Sequence, residues 1–262
     1  MNIAIILIIL LVGAILTYFS GNKFASKVAM LFSIAAAVFS VALPLNNGTA
    51  DIDYSIQWMS NPNISFSLKA DGLSIAMLLL TTILTPIIIL ASLSHEFKNE
   101  KLLYSLVLFM EFAMLGAFMS SNAFVYYVFW EMSLIPIYFI IVLWGNDEIR
   151  TRRKAAMTFF PFTFLGSLFM LAAIIFMYTK TGSFELEAFY NADLTLTEQI
   201  WVFLAFFLAY GIKIPIFPFH TWQANVYQKA PAIGTMLLAG LMSKMGAYSV
   251  IRWQIATVPD AA

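Results

Sequence analysis

Three ionisable residues sit where an apolar sequence should hold none. Glu131 lies near the middle of residues 123–145, AFVYYVFWEMSLIPIYFIIVLWG, and Lys213 and Lys244 stand in the later apolar runs YGIKIPIF and GLMSKMGAY. A carboxylate and two amines are groups that take up and release protons. A charge at the centre of a membrane helix costs about 2.5–3.5 kcal/mol on insertion scales, so it persists where a partner, water or a task compensates for it. Five residues after Glu131, Pro136 has no amide proton to give, which frees the carbonyl of Met132 for water or a polar side chain. Glu111 is a further acid inside an apolar run, LVLFMEFAML. There are no cysteines, which removes disulfides, iron–sulfur ligation and thiolate chemistry, and His95 and His220 are the two imidazoles left for haem or metal.

The whole composition matches those stretches. Of the 262 residues, 61% are hydrophobic and 11% charged, against about a quarter charged in a soluble domain, and mean hydropathy is +0.86. An integral membrane protein is implied. Net charge is zero, so nothing favours nucleic acid as a partner; the lipid bilayer is the expected surrounding.

The apolar segments predict an all-α polytopic protein of about eight transmembrane helices. Residues 3–19 form the first, read as a retained helix, because no basic residue precedes it and no small-residue cleavage site follows. The second runs from Val28 to Leu45 after a short turn carrying Lys23 and Lys27. Between 51 and 68 apolar residues alternate on either side of Asn61-Pro62-Asn63, which predicts a surface hairpin. Asp71 is placed to cap a third helix over about 73–93. Helices four and five, about 102–120 and 123–145, are joined by Ser121-Asn122 alone and must be antiparallel neighbours. The sixth covers about 155–178, and the SFELEAFY segment after it suits a short interfacial helix or strand. The seventh starts near Glu198 and is interrupted at about 213–218, where Pro215 and Pro218 leave the carbonyls of Gly211 and Ile214 unpaired around Lys213. The eighth spans about Ala232 to Trp253.

Basic residues divide unevenly between the two ends of these helices. Lys23, Lys27, Lys98, Lys101, Arg150, Arg152, Arg153, Lys154 and Lys229 fall in loops on one side, whereas the other side has Lys69, Lys180 and Arg252. By the positive-inside rule the first set faces the cytoplasm or its equivalent, and both ends of this stretch lie outside.

Two motifs carry a resemblance. WEMSLIPIYFIIVLWG at 130–145 and YGIKIPIFPFHTW at 210–222 resemble the antiporter-like membrane subunits of respiratory complex I, above all the chain-4, or subunit M, type. Lys244 in GLMSKMGAY and the DGLS at 71–74 fit as well, and the likeness covers nearly the whole chain. After Trp222 the family usually reads leucine, proline, aspartate, alanine, histidine, while this chain has Gln223, Ala224, Asn225, Val226 and Tyr227. Glu111 stands where the family is usually apolar. Family members have about fourteen helices in two inverted repeats; the resemblance makes 1–101 an N-terminal set of three helices, 102–253 the first repeat, and 254–262 the start of the next segment.

The resemblance implies a proton-translocating subunit of an NADH-quinone oxidoreductase in a bacterial inner membrane, with neighbouring antiporter-like subunits as partners. It implies no cofactor or metal on this chain, since NADH, FMN, iron–sulfur clusters and quinone belong to other subunits. Glu131 would modulate Lys213, Lys213 would pass a proton along water to Lys244, and His220 would be a possible relay beside the Pro215 and Pro218 break. At roughly 8 Å and an effective dielectric near 20, a Glu–Lys pair attracts by about 2 kcal/mol. One charge moved through 100 mV is worth about 2.3 kcal/mol, so opening such a pair is matched to the task. The same fold and charge pattern suit a multisubunit Na+/H+ antiporter or a membrane-bound hydrogenase. A purely structural subunit is the remaining reading: Glu131 as an interhelical pair, Lys213 as an anchor, Lys244 as a neighbour of close-packing Gly240 and Gly246, Glu111 as a structural partner or a lipid-shielded protonated acid, and His220 as a cap.

Overall fold

The computed structural model describes residues 2–47 and 51–262. Its elements in chain order are α1 (Ala4–Phe19), α2 (Asn22–Asn47), β1 (Ile52–Ser60), β2 (Asn63–Ala70), α3 (Gly72–Ser92) and α4 (Glu100–Met119). Then follow α5 (Ala123–Met132), α6 (Leu134–Trp144), α7 (Ile149–Thr181), α8 (Leu186–Tyr190), α9 (Leu196–Lys213), α10 (Thr221–Lys229), α11 (Ala232–Leu237) and α12 (Ser243–Ser249). Among the described residues six helical stretches are long and apolar enough to cross a membrane, with α5 and α6 counting as one, and α1 is a shorter apolar helix.

At the centre stands α4. Fourteen of its side chains from Leu103 to Met119 are buried, because α1, α2, α3, α5 and α6 all pack around it. Helices α2, α3 and α7 keep a lipid-facing side with exposed Leu31, Val38, Ile87, Leu90 and Leu165. Several of the polar residues inside the bundle are small hydroxyls that bond within their own helix: Thr82 donates to the Leu78 carbonyl at 2.8 Å and Thr85 to Thr81 at 2.9 Å. The Ser40 and Thr82 hydroxyls also meet at 2.6 Å, a tie between α2 and α3 of the kind that holds helices together in lipid.

Loop chemistry fixes where the helices start. The expected hairpin forms, with Ile52 opposite Ala70, Ser60 opposite Asn63 and a bulge between Gln57 and Met59. Asp71 caps α3 by accepting from the Ser74 amide at 3.0 Å, and Asn122 caps α5 by accepting from Phe124 and Val125. Thr195 and Glu198 form a reciprocal capping box on α9. At this same end the hairpin, the loop before α8 and the α4–α5 link are bound together: Glu185 accepts from Asn122 Nδ2 at 2.9 Å and Ser67 Oγ at 3.2 Å, and Lys69 pairs with Asp51 and Glu187. At the opposite end the α6–α7 and α10–α11 loops are joined by the Lys229–Asp147 ion pair and by Asn146 Nδ2 donating to the Ala230 carbonyl at 2.7 Å.

Four local expectations are corrected. Lys23 and Lys27 stand in the first turns of α2 rather than in a turn before it, because α2 already begins at Asn22. The stretch 123–145 is two helices meeting at Ser133, since Pro136 has no N–H for the Met132 carbonyl. The sixth helix extends from Ile149 to Thr181, its first turns carrying the basic residues. The last helical stretch alternates α and π geometry, with π turns at Leu238–Met242 and Val250–Ile255 on either side of α12. The SFELEAFY segment becomes the short helix α8.

Arg252, on the last π turn, pairs with Asp71 and donates to Ser74 Oγ at 3.2 Å. Burial works to raise the Asp71 carboxyl, but the Arg252 hydrogen bond, the Ser74 amide and the guanidinium charge outweigh it and hold the carboxyl below its ordinary value. Stability from this group is therefore complete above the unfolded value of about 3.9 and is lost as pH falls through the lower folded value. Asp71→Ala should cost about 1 kcal/mol for the cap, and more for the unpaired guanidinium. Thermal unfolding in detergent checks this: the gap between wild type and variant should be full at pH 7 and close below about pH 4.

Candidate functional site

The meeting of α5, α6 and α9 places Lys213. Its chain is 3% exposed, and its ammonium donates to Ser133 Oγ at 3.2 Å while lying 4.7 Å from the centroid of the Trp130 ring. Ser133 can accept because its own proton goes to the Trp130 carbonyl at 2.7 Å. The break that Pro136 causes thus supplies a hydroxyl oxygen at the point where the Lys213 ammonium enters the bundle. An aromatic face adds about 2 kcal/mol to a desolvated cation.

Glu131 is near but not in contact. No ion pair joins it to Lys213 within 4.0 Å, and its Oε1 is buried without a hydrogen-bond partner. Ser167 on α7 stands beside the carboxylate and sends its own proton to the Phe164 carbonyl at 2.8 Å. The two charges act on each other through space. Such an arrangement leaves the lysine one hydrogen bond and a ring, with its counter-charge a step away. It can exchange a proton without breaking a salt bridge.

The break after Lys213 differs from expectation in its carbonyls. That of Gly211 is not free, for Ile216 donates to it at 2.8 Å, and that of Ile212 accepts from Trp222 Nε1 at 3.0 Å. Pro215 and Pro218 lie in the non-helical turn between α9 and α10, and the indole closes the end of α9.

The other predicted residues lie apart. Lys244 is exposed, and its ammonium donates to the Ala239 carbonyl at 2.7 Å, across the π turn. Gly246, two residues on, faces α9 so closely that a Cβ there would come within 3.1 Å of the Tyr210 carbonyl, which puts Lys244 on the side turned away. Gly240 makes no such approach, its nearest neighbour being Leu84 at 4.0 Å. His220 is exposed beside the Phe217 ring, with centroids 5.6 Å apart, and makes no side-chain cap. Glu111 is fully buried in α4, beside Thr85, with both oxygens unpartnered. Protein rather than lipid shields it, because α4 is enclosed by helices.

Sequence reasoning missed Ser133, Trp130, Ser167 and Trp222. Ser133 had a visible sign, two residues after Glu131 and three before Pro136. Ser167 had none, since its approach to Glu131 depends on how α7 packs on α5.

A family model described as "NADH:quinone oxidoreductase/Mrp antiporter, TM" matches residues 120–260, which hold Glu131, Lys213 and Lys244. NADH-quinone oxidoreductase subunit M of Rickettsia prowazekii is 36% identical over 273 residues, covering 100% of this chain and 55% of that protein. NADH-ubiquinone oxidoreductase chain 4 of Marchantia polymorpha is 36% identical over 218 residues, 82% of this chain and 43% of that one. A chain in the structure of respiratory complex I from Thermus thermophilus with bound NADH superimposes with a TM-score of 0.88 at 27% identity, covering 98% of this chain and 54% of its own. The chain spans about half the length of the curated relatives it matches. With the family model matched over more than half of its residues, the chain belongs to the NADH:quinone oxidoreductase/Mrp antiporter transmembrane family.

Proposed function

We propose that this chain forms the first repeat of a proton-translocating membrane subunit in a complex I type NADH-quinone oxidoreductase. Residues 102–253 are the repeat, 1–101 the helices that precede it, and 254–262 the start of the next segment. The observation that carries the reading is the buried Lys213 ammonium, held by one hydroxyl and one indole face with Glu131 near but uncontacted. A purely structural lysine would be expected to close a salt bridge or to carry its charged head out to water. Lys213, though it is the last residue of α9, does neither.

In this reading Lys213 takes up the proton, Glu131 biases whether it is held, and Lys244 passes it on, away from α9. His220, on the exposed turn, is a possible relay at the other end, while Pro215 and Pro218 maintain the break. The redox groups, NADH, FMN, iron–sulfur clusters and quinone, belong to other subunits. Neighbouring antiporter-like subunits are the partners, and a bacterial inner membrane is the setting, with both ends of this stretch outside. The matched family description also covers Mrp antiporters, so a subunit of a multisubunit Na+/H+ antiporter is the rival. The partners that copurify decide between them.

Two variants of the full-length protein test the proposal in membranes, at equal amounts of assembled complex with NADH as donor. Lys213→Ala should abolish pumping while assembly holds; normal pumping would reduce the lysine to an anchor. Ser133→Ala removes a hydrogen bond to a charged group, worth about 1.5–3 kcal/mol, and should slow pumping by about tenfold or more. An unchanged rate would mean that the hydroxyl only fills space.

A further inference from the structure

Between Lys213 and the hairpin end of the bundle runs a series of buried hydroxyls that the Glu131–Lys213–Lys244 scheme does not use. One turn back along α9 from Lys213 is Tyr210, whose ring lies 5.5 Å from that of Trp130, the same indole that faces the ammonium. Its hydroxyl is buried and has no hydrogen-bond partner in the protein. One turn along α5 is Tyr126, beside Tyr210, which donates to Ser249 Oγ at 2.6 Å and stacks on Trp253 with centroids 4.6 Å apart. Ser249 in turn donates to the Met245 carbonyl at 2.6 Å. Next to it, Tyr248 donates to the Phe118 carbonyl at 2.7 Å and meets Ser74 Oγ at 3.3 Å, and Arg252, one turn on, donates to both hydroxyl oxygens and pairs with Asp71.

Above Arg252 opens a cavity of about 500 Å³, lined by Lys69, Ser121, Glu185, Tyr190 and Arg252 among others. Burial pushes the Glu185 carboxyl up in spite of its bonds from Asn122 and Ser67, so it suits an acceptor of protons at the mouth.

Unpartnered polar atoms occur beside this route. Besides Tyr210, the indole Nε1 of Trp253, which stacks on Tyr126, is buried without a partner. Buried polar groups of this kind are met by internal water. The π turn Val250–Ile255 lies there too, and π turns cluster at functional positions.

We propose that Lys213 has a route to the hairpin end within this bundle, along Tyr210, Tyr126 and Ser249 to Arg252, which is paired with Asp71 and lines the cavity. The inference rests on the proton-translocating reading above. Tyr210 and Tyr126 each accept one proton and release their own onward, and Ser249 accepts from Tyr126 and turns its own proton from the Met245 carbonyl to water, so every member ends neutral. Water bridges the steps that the hydroxyls do not span, and the proton leaves to solvent in the cavity. No redox partner enters.

The experiment uses the full-length protein in the assembled complex, with NADH-driven pumping and quinone reduction measured together. Tyr126→Phe removes the hydroxyl and keeps the ring on Trp253; Ser249→Ala removes the next hydroxyl. Both should lose as much of the proton-to-electron ratio as Lys213→Ala, with quinone reduction kept. Tyr104→Phe serves as the control, since it deletes an equally buried hydroxyl, bonded to Ser92 at 3.0 Å, off the route. A wild-type ratio in Ser249→Ala and Tyr126→Phe, with Lys213→Ala defective, overturns this route while leaving Lys213 its role. An equal loss in Tyr104→Phe also overturns it, as a general effect of deleting buried hydroxyls. If Lys213→Ala itself pumps normally, the proton-translocating reading has failed, and the route with it.

Discussion

Everything at the centre of this bundle depends on keeping an ammonium out of water without giving it a counter-ion in contact. Removing a charge from water costs several kcal/mol even after relaxation, and a salt bridge is the usual remedy. Lys213 has instead a serine oxygen at a helix break and the face of an indole. The split between α5 and α6, the indole of Trp222 on the end of α9 and the glycine at position 246 all serve that one placement. On the proposed proton-translocating reading, a direct Glu131–Lys213 contact would be more secure and less useful, because a proton could leave only after the pair had opened.

The membrane dictates the rest of the architecture. Without water to receive backbone groups, each helix end must be closed by a side chain or another backbone group. Asp71, Asn122 and Thr195 do so at the hairpin end, and Arg152 donates to the Gly145 carbonyl at 2.8 Å at the other. The threonine hydroxyls of α3 bond to their own helix, and the enclosed α4 provides the surface on which the others assemble.

Much of this was legible in the chain. Apolar length marked six spans among the eight expected, alternation gave the hairpin, and Asp71 announced a helix start, because these signals are local and period-bound. Charges in apolar runs marked Glu131 and Lys213 for the same reason. What local sequence does not carry is which face of one helix meets which face of another. For that reason the placing of Ser167 beside Glu131, the exposure of Lys244 and the unpartnered state of Glu111 came only with the packing. The π turns were equally hidden, since their residues read as an ordinary apolar helix.

Gly246 has a mechanical meaning. With no side chain between them, the last helix rests on the backbone of α9 at Tyr210 and on Ile214, just where α9 ends. Two rods touching without a cushion of side chains slide or tilt together rather than independently. Any movement of the end of α9 is then transmitted to the stretch bearing Lys244, and the two lysines, though chemically apart, are geared to each other.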